Sequence, residues 1–243
     1  MSGKHDQIAG NLINGILSGQ YRTGDRLPSE RKLAAQCDAN RNTVREAMKK
    51  LEQIGLAEIQ LGGARVKDKS EASLDIIGHL LGQGDLPDPL LVDQIHIVVN
   101  ALMSLAAEQL LESASDEAID RIRDLAKPLF SDDAYNMDEE THMYAHHELM
   151  RSIMLNSGNL PLQLIARTLF EQISPNMTTL RSHMKVDRGL YQKFAYQLDQ
   201  ALAARDLPAV RTAFTAISQL FRETMMQAFE AAQSNLDQEA ITT

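Results

Sequence analysis

This sequence of 243 residues lacks cysteine pairs, long apolar runs and internal repeats. Its one cysteine, Cys37, cannot form an intrachain disulfide, and its apolar neighbours favour a small buried side chain over a reactive thiol. The N-terminus is polar, and we find no apolar run near the roughly 18–20 residues that a membrane span requires. We also find no repeat of fixed period and no low-complexity segment. These absences predict a soluble, cytoplasmic protein without a membrane segment.

Signatures of catalysis are also missing from the sequence. It contains no nucleophile elbow, no phosphate-binding loop and no paired carboxylates with clear acid and base roles. We therefore expect a protein that is not an enzyme and that needs no cofactor.

Acidic side chains outnumber basic ones, with 33 Asp and Glu against 24 Lys and Arg and a formal net charge of −9. By itself this balance disfavours a nucleic-acid-binding protein. The charge is unevenly distributed, because residues 1–70 contain 12 Lys and Arg against 8 Asp and Glu (net +4), whereas residues 71–243 contain 12 against 25 (net −13). The N-terminal part is therefore the part suited to a polyanion.

The basic part has the order of elements of a winged helix-turn-helix. Apolar residues at helical spacing from Ile8 predict a first, supporting helix. Ser29 can cap a short second helix, and Asn40 can cap a third helix that ends at Gly55. Two short runs on either side of the glycine pair 62–63 are compatible with a β-hairpin. This order of elements is typical of a DNA-binding domain.

The rest of the chain shows helical periodicity almost throughout. The predicted helices run over residues 72–83, 89–113, 116–130, 137–156, 159–183, 187–204 and 206–235, separated by proline and glycine breaks. We predict a DNA-binding domain over residues 1–68, a linker over 69–75, a helical effector-binding and dimerisation domain over 76–235, and a C-terminal tail over 236–243. The predicted fold class is mainly α: a winged helix-turn-helix with a small β-hairpin wing, followed by an all-α antiparallel helical bundle.

The third helix carries a basic stripe. Arg41, Arg45 and Lys49 recur at i, i+4 and i+8, and the apolar residues between them face the other helices. An isolated stripe of this kind is usually a solvated helix face, but here it lies in a net-positive segment beside a capped helix, a turn and a hairpin. Arginine suits guanine and asparagine suits adenine in the major groove, arginine and helix N-termini hold phosphates, and wing glycines allow close approach to a minor groove. The predicted DNA-contacting residues are Arg31, Asn40, Arg41, Asn42, Thr43, Arg45, Gly62, Gly63 and Arg65.

The motifs GDRLPSER, at residues 24–31, and NRNTVREA, at residues 40–47, resemble the GntR family of bacterial transcription factors. The resemblance covers about residues 7–67. It implies a winged helix in which the residues at the positions of Arg31, Arg41 and Arg45, together with the wing tip near Gly62, contact operator DNA. This expectation agrees with the one drawn from the residues themselves.

The helical second part is similar to the ligand-sensing domain of the FadR subgroup. Many members of that subgroup hold a metal through one Asp and three His, and the metal binds a carboxylate effector. By spacing from the Ser-Gly-Asn at residues 157–159, the Asp falls at His146 and the first His at Met150, while the later His positions fall near Ala195 or Tyr196 and near Ile217 or Ser218. We therefore predict no metal site and place the effector pocket at His146, Met150 and Tyr196.

An arginine that the subgroup often carries near the start of its long helix is also absent, since Ile95 takes its position, with His96 adjacent. A pocket without the metal and without this arginine suits a more apolar effector. The hypothesis is an acyl-CoA or a fatty acid, and an unknown metabolite stays open.

His142 and His146 give an alternative function, because their i, i+4 spacing on one helix, with glutamates nearby, can bind zinc. The alternative is a metal-dependent helical enzyme. A solvated helix face or a hydrogen-bonded core histidine explains the same residues, and no third ligand is identifiable. The function that the sequence favours is a homodimeric, metabolite-responsive regulator that binds a palindromic double-stranded DNA operator.

Overall fold

The computed structural model of the chain describes residues 3–61 and 63–242. The chain divides into two compact units, Met1–Asp85 and Leu86–Thr243. The division falls ten residues beyond the predicted linker, because Lys69–Glu71 form a short 3-10 helix and Ile76 packs into the core of the first unit. The predicted domain limits at 68, 75 and 235 stay predictions.

In its described residues, the first unit contains four α-helices, a short 3-10 helix and a two-stranded hairpin. Helices α1 (Lys4–Leu17), α2 (Glu30–Gln36), α3 (Arg41–Gln53) and α4 (Ile76–Leu81) alternate with turns, and strands β1 (Ala57–Gln60) and β2 (Gly63–Val66) follow α3. The strands pair antiparallel, with Ala57 opposite Val66 and Gln60 opposite Gly63. The winged helix-turn-helix and its β-hairpin wing are thereby confirmed.

Local signals in the sequence explain where the helices of this unit begin and end. The side chain of Ser29 accepts a hydrogen bond from the backbone N–H of Lys32, and Asn40 caps α3 in the same way. Gly55, after the end of α3, has φ +79°, a conformation that residues with a Cβ rarely adopt. The buried face of α3 packs on α1 in a core that also contains Leu12, Leu51 and Val66.

The second unit is all-helical in the part of the chain described. Its helices are α5 (Pro89–Ser113), α6 (Asp116–Ala126), α7 (Glu139–Leu155), α8 (Leu160–Ile173), α9 (Thr178–Arg181), α10 (Arg188–Ala203) and α11 (Leu207–Thr242). The predicted helix over 116–130 ends at Ala126 and the one over 159–183 is interrupted at Ser174–Met177, in both places by 3-10 turns that contain a proline. The prediction of a mainly α fold is confirmed.

Arg123 and Arg205 are two of the arginines that connect helices of this unit. Arg123 on α6 donates from Nε and Nη2 to the carboxylate of buried Asp199 on α10, at 2.9 and 3.3 Å. Arg205, before α11, donates to the carbonyl oxygens of Leu111 and Ala114 at 2.8 and 2.7 Å. The arginine thereby satisfies carbonyl groups that the end of α5 leaves without helical partners.

Helix α5 corrects the expectation that no long apolar run exists. It is long and apolar enough to cross a membrane by length and composition, with a mean hydropathy of 1.6 over 18 residues. The sequence analysis missed it because Asp93 and His96 interrupt the run. Such a helix is weak support for a span, since core helices pass the same test, and α5 places Met103, Ala106 and Leu110 in the core of the second unit.

Candidate DNA interface and effector site

Helix α3 has one buried face and one exposed face, as the sequence predicts. Val44, Ala47, Met48 and Leu51 are buried, whereas the predicted base-contacting residues Arg41, Asn42 and Arg45 are exposed together with Lys49. The exposed face presents guanidinium and amide groups, which suit guanine and adenine edges in a major groove.

Two of the predicted DNA-contacting residues, Asn40 and Thr43, have a structural role. The Asn40 side-chain oxygen accepts hydrogen bonds from the backbone N–H of Thr43 at 2.8 Å and from its hydroxyl at 3.1 Å. This cap satisfies the first turn of α3. Asn40 and Thr43 therefore fix the start of the helix from which Arg41 and Asn42 project.

Acidic partners hold two of the basic side chains of α3. Arg45 forms two hydrogen bonds with Glu30 of α2, and Lys49 donates to Glu46 of its own helix at 2.9 Å. The hydrogen bond from Arg45 lowers the pKa of the Glu30 carboxyl below its usual value. The sequence pattern did not indicate the Glu30 contact, because the two residues are 15 positions apart.

Arg31, the predicted phosphate-binding residue, is exposed on α2, one position after Glu30. A guanidinium at the start of a helix adds to the positive end of the helix dipole, and both suit a phosphate oxygen.

The wing differs from the expectation in one detail. Gly63 is exposed and has φ +131°, as a tight turn requires, while Gly62 lies outside the described residues. Arg65 does not extend from the tip: its Nη1 donates to the carbonyl oxygen of Gly24 at 2.7 Å. Backbone hydrogen bonds also join the segment 24–27 to β2, so that segment supports the wing as a third strand would.

The second unit contains a cluster of buried and half-buried histidine and aromatic side chains, which we call the histidine cluster. His146 on α7 lies 2.7 Å, Nδ1 to hydroxyl, from Tyr191 on α10, and its ring centroid lies 4.3 Å from that of Phe221 on α11. His142, one turn before His146, packs edge-on against Tyr191 at 4.5 Å. Met150, one turn after His146, is also buried. Three helices, α7, α10 and α11, thus meet at His146.

Burial keeps the cluster uncharged at neutral pH. It lowers the pKa of His142 to about 4, with a smaller contribution from the charge of Arg188, and lowers that of His146 well below its ordinary value. The pKa of Tyr191 is raised by burial, so the hydroxyl keeps its proton. The cluster therefore offers neutral hydrogen-bonding groups in an apolar setting.

Arg188 is a residue that the sequence analysis missed. It is the first residue of α10, and its Nη2 bonds with Glu139 at 3.1 Å. Its Nη1 and the Nδ1 of His142 are both buried and lack a hydrogen-bond partner within the described chain. Buried polar groups are nearly always satisfied, so these two atoms are candidates for a contact with a polar group from outside the chain.

The other predicted positions fall at different depths. Tyr196 is half-exposed and packs edge-on against Phe130, with 5.6 Å between the ring centroids. The tyrosine that contacts His146 is Tyr191. His96 Nε2 lies 2.8 Å from Ser218 Oγ, which joins α5 to α11 near the cluster. The assignment of Tyr196 to the effector pocket stays a prediction, and the contacts of Tyr191 favour Tyr191 instead.

A surface cleft of about 330 Å³ lies against α11. Its lining consists of Ser182, His183, Lys185, Thr224, Gln227 and Ala231. The cleft is polar and open, and none of His146, Met150 and Tyr196 lines it.

Within residues 3–61 and 63–242, no group of three His, Cys, Asp or Glu side chains is arranged to hold a metal ion. His142 and His146 instead contact aromatic rings and a tyrosine hydroxyl. The geometry gives the zinc-enzyme alternative no third ligand.

Known proteins resemble both units. Residues 4–66 match the family described as bacterial regulatory proteins, gntR family. The HTH-type transcriptional regulator Mce2R of Mycobacterium tuberculosis is 36% identical over 78 residues, and this alignment covers 31% of the chain and 32% of that protein. The chain thus matches about a third of the length of this relative.

The fatty acid metabolism regulator protein of Shewanella pealeana is 24% identical over 209 residues, an alignment that covers 82% of each chain. A solved structure of Lar, which controls the expression of the Listeria monocytogenes agr system, covers 95% of this chain and 98% of its own. Its TM-score is 0.52 at 19% identity, a likeness of fold alone. The relatives are named as regulators and give the enzyme alternative no support. The winged helix and this match together show that residues 4–66 form a helix-turn-helix domain of the gntR family type.

Proposed function

We propose that this protein is a metabolite-responsive transcriptional regulator that binds a specific DNA operator in the cytoplasm. The observation that carries the proposal is the exposed face of α3, where Arg41, Asn42 and Arg45 project from a helix whose opposite face is buried. A helix held in this way can enter the major groove and present its side chains to base edges.

Binding to fragments of the genomic DNA of the source organism across a salt series tests this proposal. We expect the wild type to select a few fragments that contain a short palindrome, and the variant Arg41→Ala/Arg45→Ala to lose that selection. The matched control is Arg167→Ala/Lys193→Ala, which removes the same charge from the second unit and should leave selection intact. Equal, weak binding of all fragments by wild type and variant, set only by salt, would contradict specific recognition.

The protein acts as a homodimer in this proposal. One winged helix contacts only a few base pairs, whereas a two-fold dimer doubles the contacts and fixes the spacing of a palindrome. Helix α5 offers a surface for a second copy, because four large apolar side chains on one of its faces are exposed: Leu90, Ile97, Val98 and Leu105. Sedimentation of the wild type and of Ile97→Glu/Leu105→Glu tests the dimer, with dissociation expected in the variant.

The effector binds at the histidine cluster in this proposal, and its class is a fatty acid or an acyl-CoA. The cluster lies in an apolar core with Met150 and Phe221, which suits a hydrocarbon chain. The unpartnered atoms of Arg188 and His142 supply a polar end, which suits a carboxylate or a thioester carbonyl. A relative named for fatty acid metabolism, aligned over 82% of this chain, supports the same class.

Thermal unfolding with saturating long-chain acyl-CoA or the free fatty acid tests the effector class. Binding to the native state alone raises the melting temperature, and a tenfold excess over Kd gives about 1.4 kcal/mol of stabilisation. We expect a shift in the wild type and a smaller one in His146→Leu. An unchanged melting temperature with both ligands would rule out this class. Effector binding would change DNA affinity by shifting the population of DNA-competent dimers.

A further inference from the structure

The ion pair of Glu30 and Arg45 joins α2 to α3 on the exposed side of the DNA-binding unit. Glu30 is the first residue of α2, and Arg45 lies in the second turn of α3. Arg45 donates from Nε to Oε1 of Glu30 at 3.1 Å and from Nη2 to Oε2 at 3.2 Å. The contact is bidentate and uses one edge of the guanidinium.

Folding stability does not explain this pair. The side chains of Arg45 and Glu30 are 56% and 38% exposed, and exposed ion pairs contribute little to the free energy of unfolding. A carboxylate also repels the DNA phosphates, so an acid beside the predicted base-contacting arginine has an electrostatic cost for binding any DNA.

The geometry leaves the base-contacting edge of Arg45 available. A guanidinium has five N–H donors, and Glu30 takes one on Nε and one on Nη2. The remaining donors, on Nη1 and the outer side of Nη2, form a second bidentate edge. That edge matches the O6 and N7 acceptors of guanine.

We propose that Glu30 is a positioning residue that sets the sequence specificity of DNA binding by holding Arg45 with this second edge toward the base. The inference rests on the proposed function, in which Arg45 contacts a base. A held guanidinium loses less rotamer entropy when it binds guanine than a free one. Glu30 thereby strengthens binding to a site with the correct base and weakens binding to all other DNA through its charge.

The ionisation state of Glu30 agrees with this role. The hydrogen bond from Arg45 has the largest effect on the carboxyl pKa and lowers it. Desolvation raises the pKa by a smaller amount, and the charges of Arg45 and Arg41 lower it further. Glu30 is therefore ionised at neutral pH and able to accept both hydrogen bonds.

Two duplexes of equal length test the proposal: one selected by the wild type from a random library, and one with the same composition in scrambled order. For Glu30→Gln we expect affinity for the selected duplex to fall about tenfold, near the lower end of the contribution of one bidentate arginine–guanine contact. Affinity for the scrambled duplex should stay unchanged or rise, because one negative charge is lost. Glu30→Asp keeps the charge but shortens the side chain, so it should also lose discrimination.

Glu46→Gln is the matched control, because it removes one acid from the exposed side of α3 that hydrogen-bonds to Lys49 and acts on Arg45 only through its charge. It should strengthen binding of both duplexes equally and preserve the ratio of their affinities.

The proposal is overturned if Glu30→Gln behaves like Glu46→Gln, since Glu30 would then act only through its charge. If the wild type itself does not distinguish the two duplexes, the proposed function fails together with this inference. If the wild type discriminates and both Glu30 variants keep that discrimination, the inference alone fails. Circular dichroism of each variant confirms that the helices are retained.

Discussion

The histidine cluster of the second unit makes the stability of this protein depend on pH, and His142 carries a defined part of that dependence. His142 is 1% exposed, and burial and then the charge of Arg188 lower its pKa from an ordinary 6.5 to about 4. At pH values between about 4 and 6.5, His142 therefore carries a proton in the unfolded chain but not in the folded chain. The stabilisation by neutral His142 is therefore complete above about pH 6.5 and is lost as the pH falls toward 4.

The size of the effect follows from one proton. Each pH unit in this window changes the free energy of unfolding by about 1.4 kcal/mol, so acidification from pH 6.5 to 5.0 costs about 2 kcal/mol through His142 alone. The pKa of His146 is lowered in the same direction, so the loss in the wild type is larger. For a unit of this size, about 2 kcal/mol lowers the melting temperature by roughly 4–8 °C.

Calorimetric unfolding of the wild type and of His142→Leu at pH 7 and pH 5 measures this contribution. The leucine also removes the unpartnered Nδ1, so we expect the variant and the wild type to have similar free energies of unfolding at pH 7. Between pH 7 and pH 5 the variant should lose less of this free energy than the wild type. His183→Leu, at the open cleft, is the control and should follow the wild type. If His142→Leu loses as much stability at pH 5 as the wild type, neutral His142 is not a source of the pH dependence and the reasoning is wrong.

Four further substitutions test individual positions by chemical denaturation. Asn40→Ala removes the cap of α3 and should cost about 1 kcal/mol, and an unchanged midpoint would show that the cap hydrogen bonds contribute nothing. Asp199→Ala leaves Arg123 without its buried partner and should lower the free energy of unfolding by about 3 kcal/mol. This value is near the lower end of the cost of breaking a buried ion pair, because Arg123 is partly exposed. Gly55→Ala forces φ +79° on alanine and brings its Cβ to 2.8 Å from a backbone oxygen, so it should cost at least about 1 kcal/mol. Gly10→Ala, in α1 with no atom within 4 Å of the added Cβ, should instead be stabilising by a few tenths to about 1 kcal/mol.

The sequence predicted the elements of the first unit well, because local chemistry sets their ends. Ser29 and Asn40 satisfy the first N–H groups of α2 and α3, and Gly55 allows the left-handed turn after α3. These signals involve neighbours within four residues. They are therefore legible without the tertiary structure.

Contacts between distant segments were not predictable in the same way. Periodicity places Arg65 on β2 and Tyr196 on α10, but it does not tell which segment lies opposite each side chain. The structure brings Arg65 to Gly24, 41 positions away, and gives the place beside His146 to Tyr191. Spacing from a family motif locates a position along a helix to within about a turn, and one turn decides whether a tyrosine is buried or exposed.

The two proposed sites of this protein differ in how solvent acts on them. The DNA-contacting side chains are exposed and charged, so salt screens them, and affinity for DNA falls steeply as ionic strength rises. The histidine cluster is buried and uncharged at neutral pH, so salt has little effect on it, whereas acid adds a charge that the apolar core cannot solvate. If the proposed sites are correct, DNA binding therefore responds mainly to salt, and the histidine cluster responds mainly to pH.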